Sequence, residues 1–211
     1  MTMTWRRVEK ERSRHPSRGT YLDWKPELAE EGFHQCVYCA IAEASFGGIR
    51  NFHVEHYRPK SRFPALRNSY PNLFFACAIC NTFKGDDWPR EPNDDHSVCA
   101  YPDPSRYSYA EQINVDTSTF CLVAKTTSAK YLVERLYLNR PQLIIERRLQ
   151  YALDSIRGFR NFFQSALPRL KDQTDTELIR SMLEKILRVT DICDSLLQSR
   201  PYTDAETKRA A

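Results

Sequence analysis

Four of the seven cysteines fall into two CxxC pairs, Cys36-Val-Tyr-Cys39 and Cys77-Ala-Ile-Cys80. Each such turn presents two thiolates on one side, and two turns together satisfy a tetrahedral ion, so the pattern predicts structural Zn²⁺ on Cys36, Cys39, Cys77 and Cys80. A disulfide framework fits poorly with an odd cysteine total and no leading secretory pattern. A redox CxxC occurs singly at a helix start, not twice. A zinc site of this kind contributes about 10–16 kcal/mol of apparent binding energy to folding. Cys99, Cys121 and Cys193 are expected as small buried apolar residues. His34, two residues before Cys36, is expected at the surface or behind the ligands, with a stray metal ligand as the alternative.

Between the pairs stand Phe52-His53-Val54-Glu55-His56-Tyr57-Arg58-Pro59-Lys60, then Asn72 before an apolar run, then Asn81 directly after the last cysteine. A zinc module alone needs none of these. A strand, a loop and a helix starting near Cys80 would bring Glu55, His56 and Asn81 to one point. A carboxylate and an amide oxygen are hard ligands that hold Mg²⁺ or Mn²⁺ with positions left open. A neutral imidazole takes a proton from water near neutral pH, a contribution of about 10²- to 10⁴-fold. These are the groups that metal-assisted phosphodiester hydrolysis uses. A helix N-terminus near Asn81 would favour an anionic ligand. His53 shares strand parity with Glu55, which leaves it as a further metal ligand, a phosphate contact or a buried hydrogen-bonded histidine.

The order CxxC, Glu-His with a downstream Pro, Asn-Leu, then CxxC-Asn-xx-Lys resembles the HNH (ββα-metal) endonuclease superfamily in its zinc-knuckle form, over roughly residues 33–88. The resemblance implies that His56 is the general base, that Glu55 and Asn81 hold the catalytic metal, and that Asn72 braces the loop orienting the base. It implies DNA as substrate, with 5′-phosphate and 3′-hydroxyl ends. Asn at the third motif position makes this an H-N-N variant. The segment Tyr137-Leu138-Asn139-Arg140 before a long helical pattern is similar to small HNH proteins of bacterial defence islands, such as Septu-type nucleases. That likeness implies antiphage defence beside an SMC- or ABC-like ATPase docked on the C-terminal helices.

Arg58, Lys60, Arg62 and Lys84 follow the motif residues and are expected to line the mouth of the site as phosphate contacts, with ordinary solvated charge as the competing reading. The net charge of +4 is uneven. Residues 1–25 carry seven Lys/Arg against three Asp/Glu, a basic arm (Arg6, Arg7, Lys10, Arg12, Arg14, Arg18) that either tracks phosphates or is simply solvated. Residues 86–118 carry eight acidic against two basic residues and are expected to face away from nucleic acid or toward a protein partner.

The elements that must position these groups read as an α+β chain: a ββα-metal core with its two zinc knuckles, and a mainly helical C-terminal region. The expected order is a basic arm at 1–25, the nuclease core at 26–90, a Pro-rich acidic connector with short strands at 91–127, helices over 128–200 and a tail at 201–211. Trp88-Pro89, Glu91-Pro92 and Tyr101-Pro102-Asp103-Pro104 exclude a helix from the connector. Strands are expected at Gln112–Val115 and Phe120–Val123. Helices are expected at Ser128–Leu138, from Asn139 and Pro141 to about Leu167, and after a capping box at Thr174-Asp175-Thr176-Glu177. The helical layer would complete the core, pair with a second copy in a homo-oligomer, or dock a partner.

The chain has 211 residues, 41% hydrophobic and 27% charged, which suits a folded protein and not a disordered one. Six glycines count against a Gly-rich nucleotide fold. The apolar run Leu73–Ile79 is far below the ~20 residues that span a bilayer, so no membrane segment and a cytoplasmic location are expected. A zinc ribbon that binds nucleic acid or protein without chemistry is the alternative, though it leaves the Glu-His and Asn residues unexplained.

Overall fold

A computed structural model describes residues 5–10, 16, 18–166 and 176–198, which form two compact units dividing between Asn139 and Arg140. The class is α+β, with two small antiparallel sheets and a helical C-terminal region.

In the first unit, β1 (Phe52–His56) pairs antiparallel with β2 (Leu73–Cys77), in register from Phe52↔Cys77 to His56↔Leu73. All five residues of β2, Leu-Phe-Phe-Ala-Cys, are buried, as a strand covered on both faces requires. The diagonal neighbours Phe52 and Phe75 stack with centroids 4.4 Å apart. Helix α1 (Lys25–Glu31) carries Pro26 in its first turn and packs Leu28 and Ala29 against this hairpin.

Helix α2 (Ala78–Lys84) follows β2 without a break and starts earlier than expected. Cys77 is its N-cap, with its sulfur accepting from the Cys80 N–H at 3.5 Å. The helix N-terminus therefore points at the cysteine sulfurs, not at an anion beside Asn81, which lies in the middle of the helix.

The connector wraps back onto the hairpin. Tyr57 donates its hydroxyl to the Tyr101 carbonyl at 2.7 Å, and Trp88 sits edge-on to Tyr57 at 4.9 Å. Contrary to expectation it contains a short helix, α3 (Tyr109–Gln112), because the last proline is Pro104 and nothing beyond it blocks helical hydrogen bonds. Strands β3 (Ile113–Val115) and β4 (Leu122–Ala124) pair antiparallel across a turn in which Asp116 Oδ1 accepts from the Ser118 and Thr119 N–H groups. Thr126 caps α4 (Thr127–Arg135), which ends three residues short of expectation. Asn139, read as a helix cap, sets its side-chain amide against both backbone groups of Leu122 (2.7 and 3.1 Å), tying the end of this unit to β4.

The N-terminal segment is not a free arm where it is described. Trp5 and Val8 are buried; the Trp5 indole donates to the Tyr38 carbonyl, and Val8 N–H donates to the Pro104 carbonyl. Lys10 turns inward, pairing with Glu31 and donating to the Leu73 carbonyl, so it does not reach for phosphates. Arg12 and Arg14 lie outside the described residues. The spare cysteines also differ from expectation: Cys99 is exposed, while Cys121 and Cys193 are half-buried. At Cys99 the core is filled instead by its neighbours Ala100 and Tyr101.

The second unit is the pair α5 (Pro141–Ala166) and α6 (Thr176–Gln198), which pack on each other. Leu149 and Leu153 on α5, and Leu183 and Leu187 on α6, stay exposed. The expected capping box and tail fall wholly or partly outside the described residues. Among the described residues no helix is long and apolar enough to cross a membrane.

Candidate active site and metal centre

The first knuckle is a tight turn in which Cys36 N–H donates to the Ile41 carbonyl and Ala40 adopts a left-handed conformation. Val37 N–H donates to the Phe75 carbonyl, which sews this turn to β2, and Cys77 with Cys80 closes the set from the start of α2. The four ligand sulfurs lie within 4.8 Å of one another, all buried, and Cys39 Sγ stands 3.8 Å from Cys77 Sγ. Tetrahedral Zn–S bonds of about 2.3 Å place sulfurs roughly 3.8 Å apart, so the residues present fit Zn²⁺. Burial pushes the Cys36 thiol up, whereas hydrogen bonds from Cys36, Cys39 and Cys80 hold Cys77 below its ordinary value.

On the opposite end of the hairpin, alternation along β1 puts His53 and Glu55 on the face that α2 crosses. Asn81 and Lys84, three apart on α2, meet that pair in order. Asn81 Nδ2 lies 3.2 Å from His53 Nδ1, and Lys84 Nζ lies 2.6 Å from Glu55 Oε1. Glu55 also accepts from the Tyr38 hydroxyl at 3.0 Å, and Lys84 donates to the His56 carbonyl at 2.9 Å. Both ends of the Glu55–Lys84 pair are buried. Burial raises the Glu55 pKa, and the Lys84 ammonium opposes that rise. Lys84 therefore does not line the mouth as a phosphate contact. It is enclosed between strand and helix because a buried carboxylate requires a paired cation.

His56 ends β1 and is nearly buried. Its Nε2 lies 3.0 Å from the Arg67 carbonyl, an acceptor, so Nε2 carries the proton and Nδ1 the lone pair. Burial lowers the His56 pKa, and the Lys60, Lys84 and Arg67 cations act in the same direction, which keeps the ring neutral near pH 7. Asn72 spans the intervening loop. Its Oδ1 accepts from Arg58 N–H at 2.8 Å, and its Nδ2 donates to the Arg58 carbonyl at 3.0 Å and the Leu66 carbonyl at 3.4 Å. The loop that supplies the Arg67 carbonyl is thus tied at Arg58 and Leu66 by one side chain. Asn72→Ala leaves the Arg58 N–H without its partner, and we expect a stability loss of about 1–3 kcal/mol in urea denaturation. An unchanged midpoint would show that the loop is held by other contacts.

Glu55, His56, Pro59, Lys60, Asn81, Gly85 and Asp86 line one pocket of about 140 Å³. Lys60 lines this pocket and is exposed. Arg58 and Arg62 are partly committed elsewhere, Arg58 to Glu91 at 2.7 Å and Arg62 to the Trp88 carbonyl. Asp86 belongs to the acidic stretch 86–118, expected to face away from nucleic acid or toward a protein partner, yet it lines this pocket. Gly85, with φ +50°, ends α2 and turns the chain so that the next residue faces the site. Its place directly after the Lys84-Gly85 helix end was the available signal.

The ββα unit thus carries a four-cysteine cluster at one end and a histidine, an amide and a carboxylate around a pocket at the other. Residues 36–87, about a quarter of the chain, match the family described as HNH endonuclease. No curated protein and no solved structure matches the chain.

Proposed function

We propose that this domain hydrolyses phosphodiester bonds of DNA, with His56 as general base. The observation that carries the reading is the Nε2 bond from His56 to the Arg67 carbonyl beside a pocket shared with Glu55 and Asn81. That bond leaves Nδ1 as the proton acceptor for a water in line with the phosphorus. The donor set suits Mg²⁺ or Mn²⁺, with Asn81 and Glu55 as ligands and His53 as a further candidate beside Asn81. When bound, the ion stabilises charge on the phosphate and on the leaving oxygen. Lys84 and Tyr38 hold the Glu55 carboxylate in place, and Lys60 at the rim meets phosphate oxygens.

The wider setting we propose is bacterial antiphage defence in the cytoplasm, with an ATPase partner or a second copy of this chain on α5 and α6. The sequence likeness to defence-island nucleases supports it, as do the exposed Leu153, Leu183 and Leu187 of the helical unit. Zinc-loaded protein is expected to convert supercoiled plasmid to nicked circles in Mg²⁺ or Mn²⁺, with 5′-phosphate ends that ligase reseals, and to stop in EDTA. Binding of the same plasmid without any strand cleavage, with or without added metal, would favour the non-catalytic zinc ribbon.

A further inference from the structure

Tyr21 stands against the imidazole of His56, although 35 positions separate them in sequence. Their ring centroids are 4.8 Å apart at 71°, an edge-on contact. The turn that delivers Tyr21 is itself well anchored. Gly19 has φ +89°, where a Cβ would meet the Asp23 carboxylate at 3.0 Å; Asp23 Oδ2 accepts from Thr20 N–H at 2.8 Å. Trp24 is buried and donates its indole N–H to the Arg18 carbonyl at 2.9 Å. Tyr21 N–H donates to Asn68 Oδ1 at 3.1 Å. Asn68 directly follows Arg67, the residue whose carbonyl receives the His56 Nε2 proton.

The phenol also gathers the nearest cations. Lys60 Nζ lies 3.2 Å from the Tyr21 hydroxyl and 4.9 Å from the ring centre, and the Arg67 guanidinium is 5.4 Å from that centre. Hydrogen bonds from Lys60 and Arg67 lower the Tyr21 pKa, so the hydroxyl acts as an acceptor between them.

Resting on the nuclease reading, we propose that Tyr21 is a positioning residue of the active site, its ring walling the imidazole of His56 so that Nδ1 stays directed into the pocket. One hydrogen bond to Arg67 leaves the imidazole free to tilt about that bond, and an aromatic edge on its flank removes the freedom. The segment before α1 thereby completes a site whose other parts lie within residues 36–87.

The test compares Tyr21→Phe and Tyr21→Ala with the wild-type chain, all zinc-loaded and with thermal midpoints measured. Two readouts are taken: plasmid nicking in Mg²⁺, and the histidine side-chain ¹H–¹⁵N spectrum without Mg²⁺. Tyr21→Phe should keep kcat within about twofold, while Tyr21→Ala should lose on the order of tenfold in kcat at nearly constant KM. In the spectrum, His56 should show one Nε2–H tautomer in wild type and Tyr21→Phe, and a tautomer mixture in Tyr21→Ala. Wild-type kcat with an unchanged His56 signal in Tyr21→Ala would overturn the proposal. So would a change confined to KM, which would make Tyr21 a DNA contact, or a Tyr21→Phe variant as impaired as Tyr21→Ala. If the wild type itself does not cleave, the nuclease reading fails and the spectrum alone decides: tautomer mixing supports the positioning role, and an unchanged signal refutes it.

Discussion

Cys80→Ser is expected to unfold the first unit and to release its zinc. Cys80 is fully buried, its N–H caps onto Cys77 Sγ, and its sulfur lies with Cys36, Cys39 and Cys77 in a cluster that links the first knuckle to the start of α2. Zinc binding in such sites is worth about 10–16 kcal/mol of apparent energy, comparable with or larger than the ~5–15 kcal/mol that a whole domain retains against unfolding. Serine is a poor ligand for zinc, and four buried polar groups without an ion are costly in themselves. Zinc content by atomic absorption should fall from one ion per chain to none, and near-ultraviolet dichroism from the buried Tyr38, Trp88 and Tyr101 should be lost together with it. A strong chelator should produce the same change in the wild type. A zinc-free Cys80→Ser protein with wild-type dichroism would refute the structural role of the ion.

The second large effect is on chemistry without loss of fold. His56→Ala removes the proposed proton acceptor and should lower the cleavage rate by about 10²- to 10⁴-fold. Its structural cost should be small, because among the described residues the imidazole makes one hydrogen bond, to the Arg67 carbonyl, and one ring contact, to Tyr21. The His56 carbonyl, which accepts from Lys84, is backbone and survives the substitution. Wild-type zinc content and dichroism with lost cleavage would separate this variant from Cys80→Ser. Retained cleavage would remove His56 from the mechanism.

The parts of this site that the sequence makes legible are those whose chemistry is local. A CxxC turn presents two thiolates whatever surrounds it, so Cys36, Cys39, Cys77 and Cys80 could be grouped before any fold was known. Glu55 and His56 are adjacent, and Asn81 follows Cys80, so a hairpin and a helix suffice to bring them toward one pocket. Tyr21 carries no such signal, because its contact with His56 depends on where a turn ahead of α1 happens to pack. The charged residues misled for a different reason. Spacing places Lys84 near the motif, but only the buried Glu55 explains why its ammonium points inward. Lys10 likewise reads as part of a basic arm until Glu31 and the Leu73 carbonyl are seen to enclose it. Asp86 shows the converse: net charge over a stretch says nothing about one carboxylate that a helix end turns into the pocket.

The pocket around His56 is proposed to hydrolyse DNA with the help of a divalent metal. Zinc-loaded wild type and His56→Ala should be incubated side by side with supercoiled plasmid in Mg²⁺, with an EDTA arm for each. Nicked circles are expected from the wild type in Mg²⁺ alone, and intact plasmid in the other three arms. Equal nicking by both proteins in Mg²⁺, or nicking by the wild type that persists in EDTA, would contradict it.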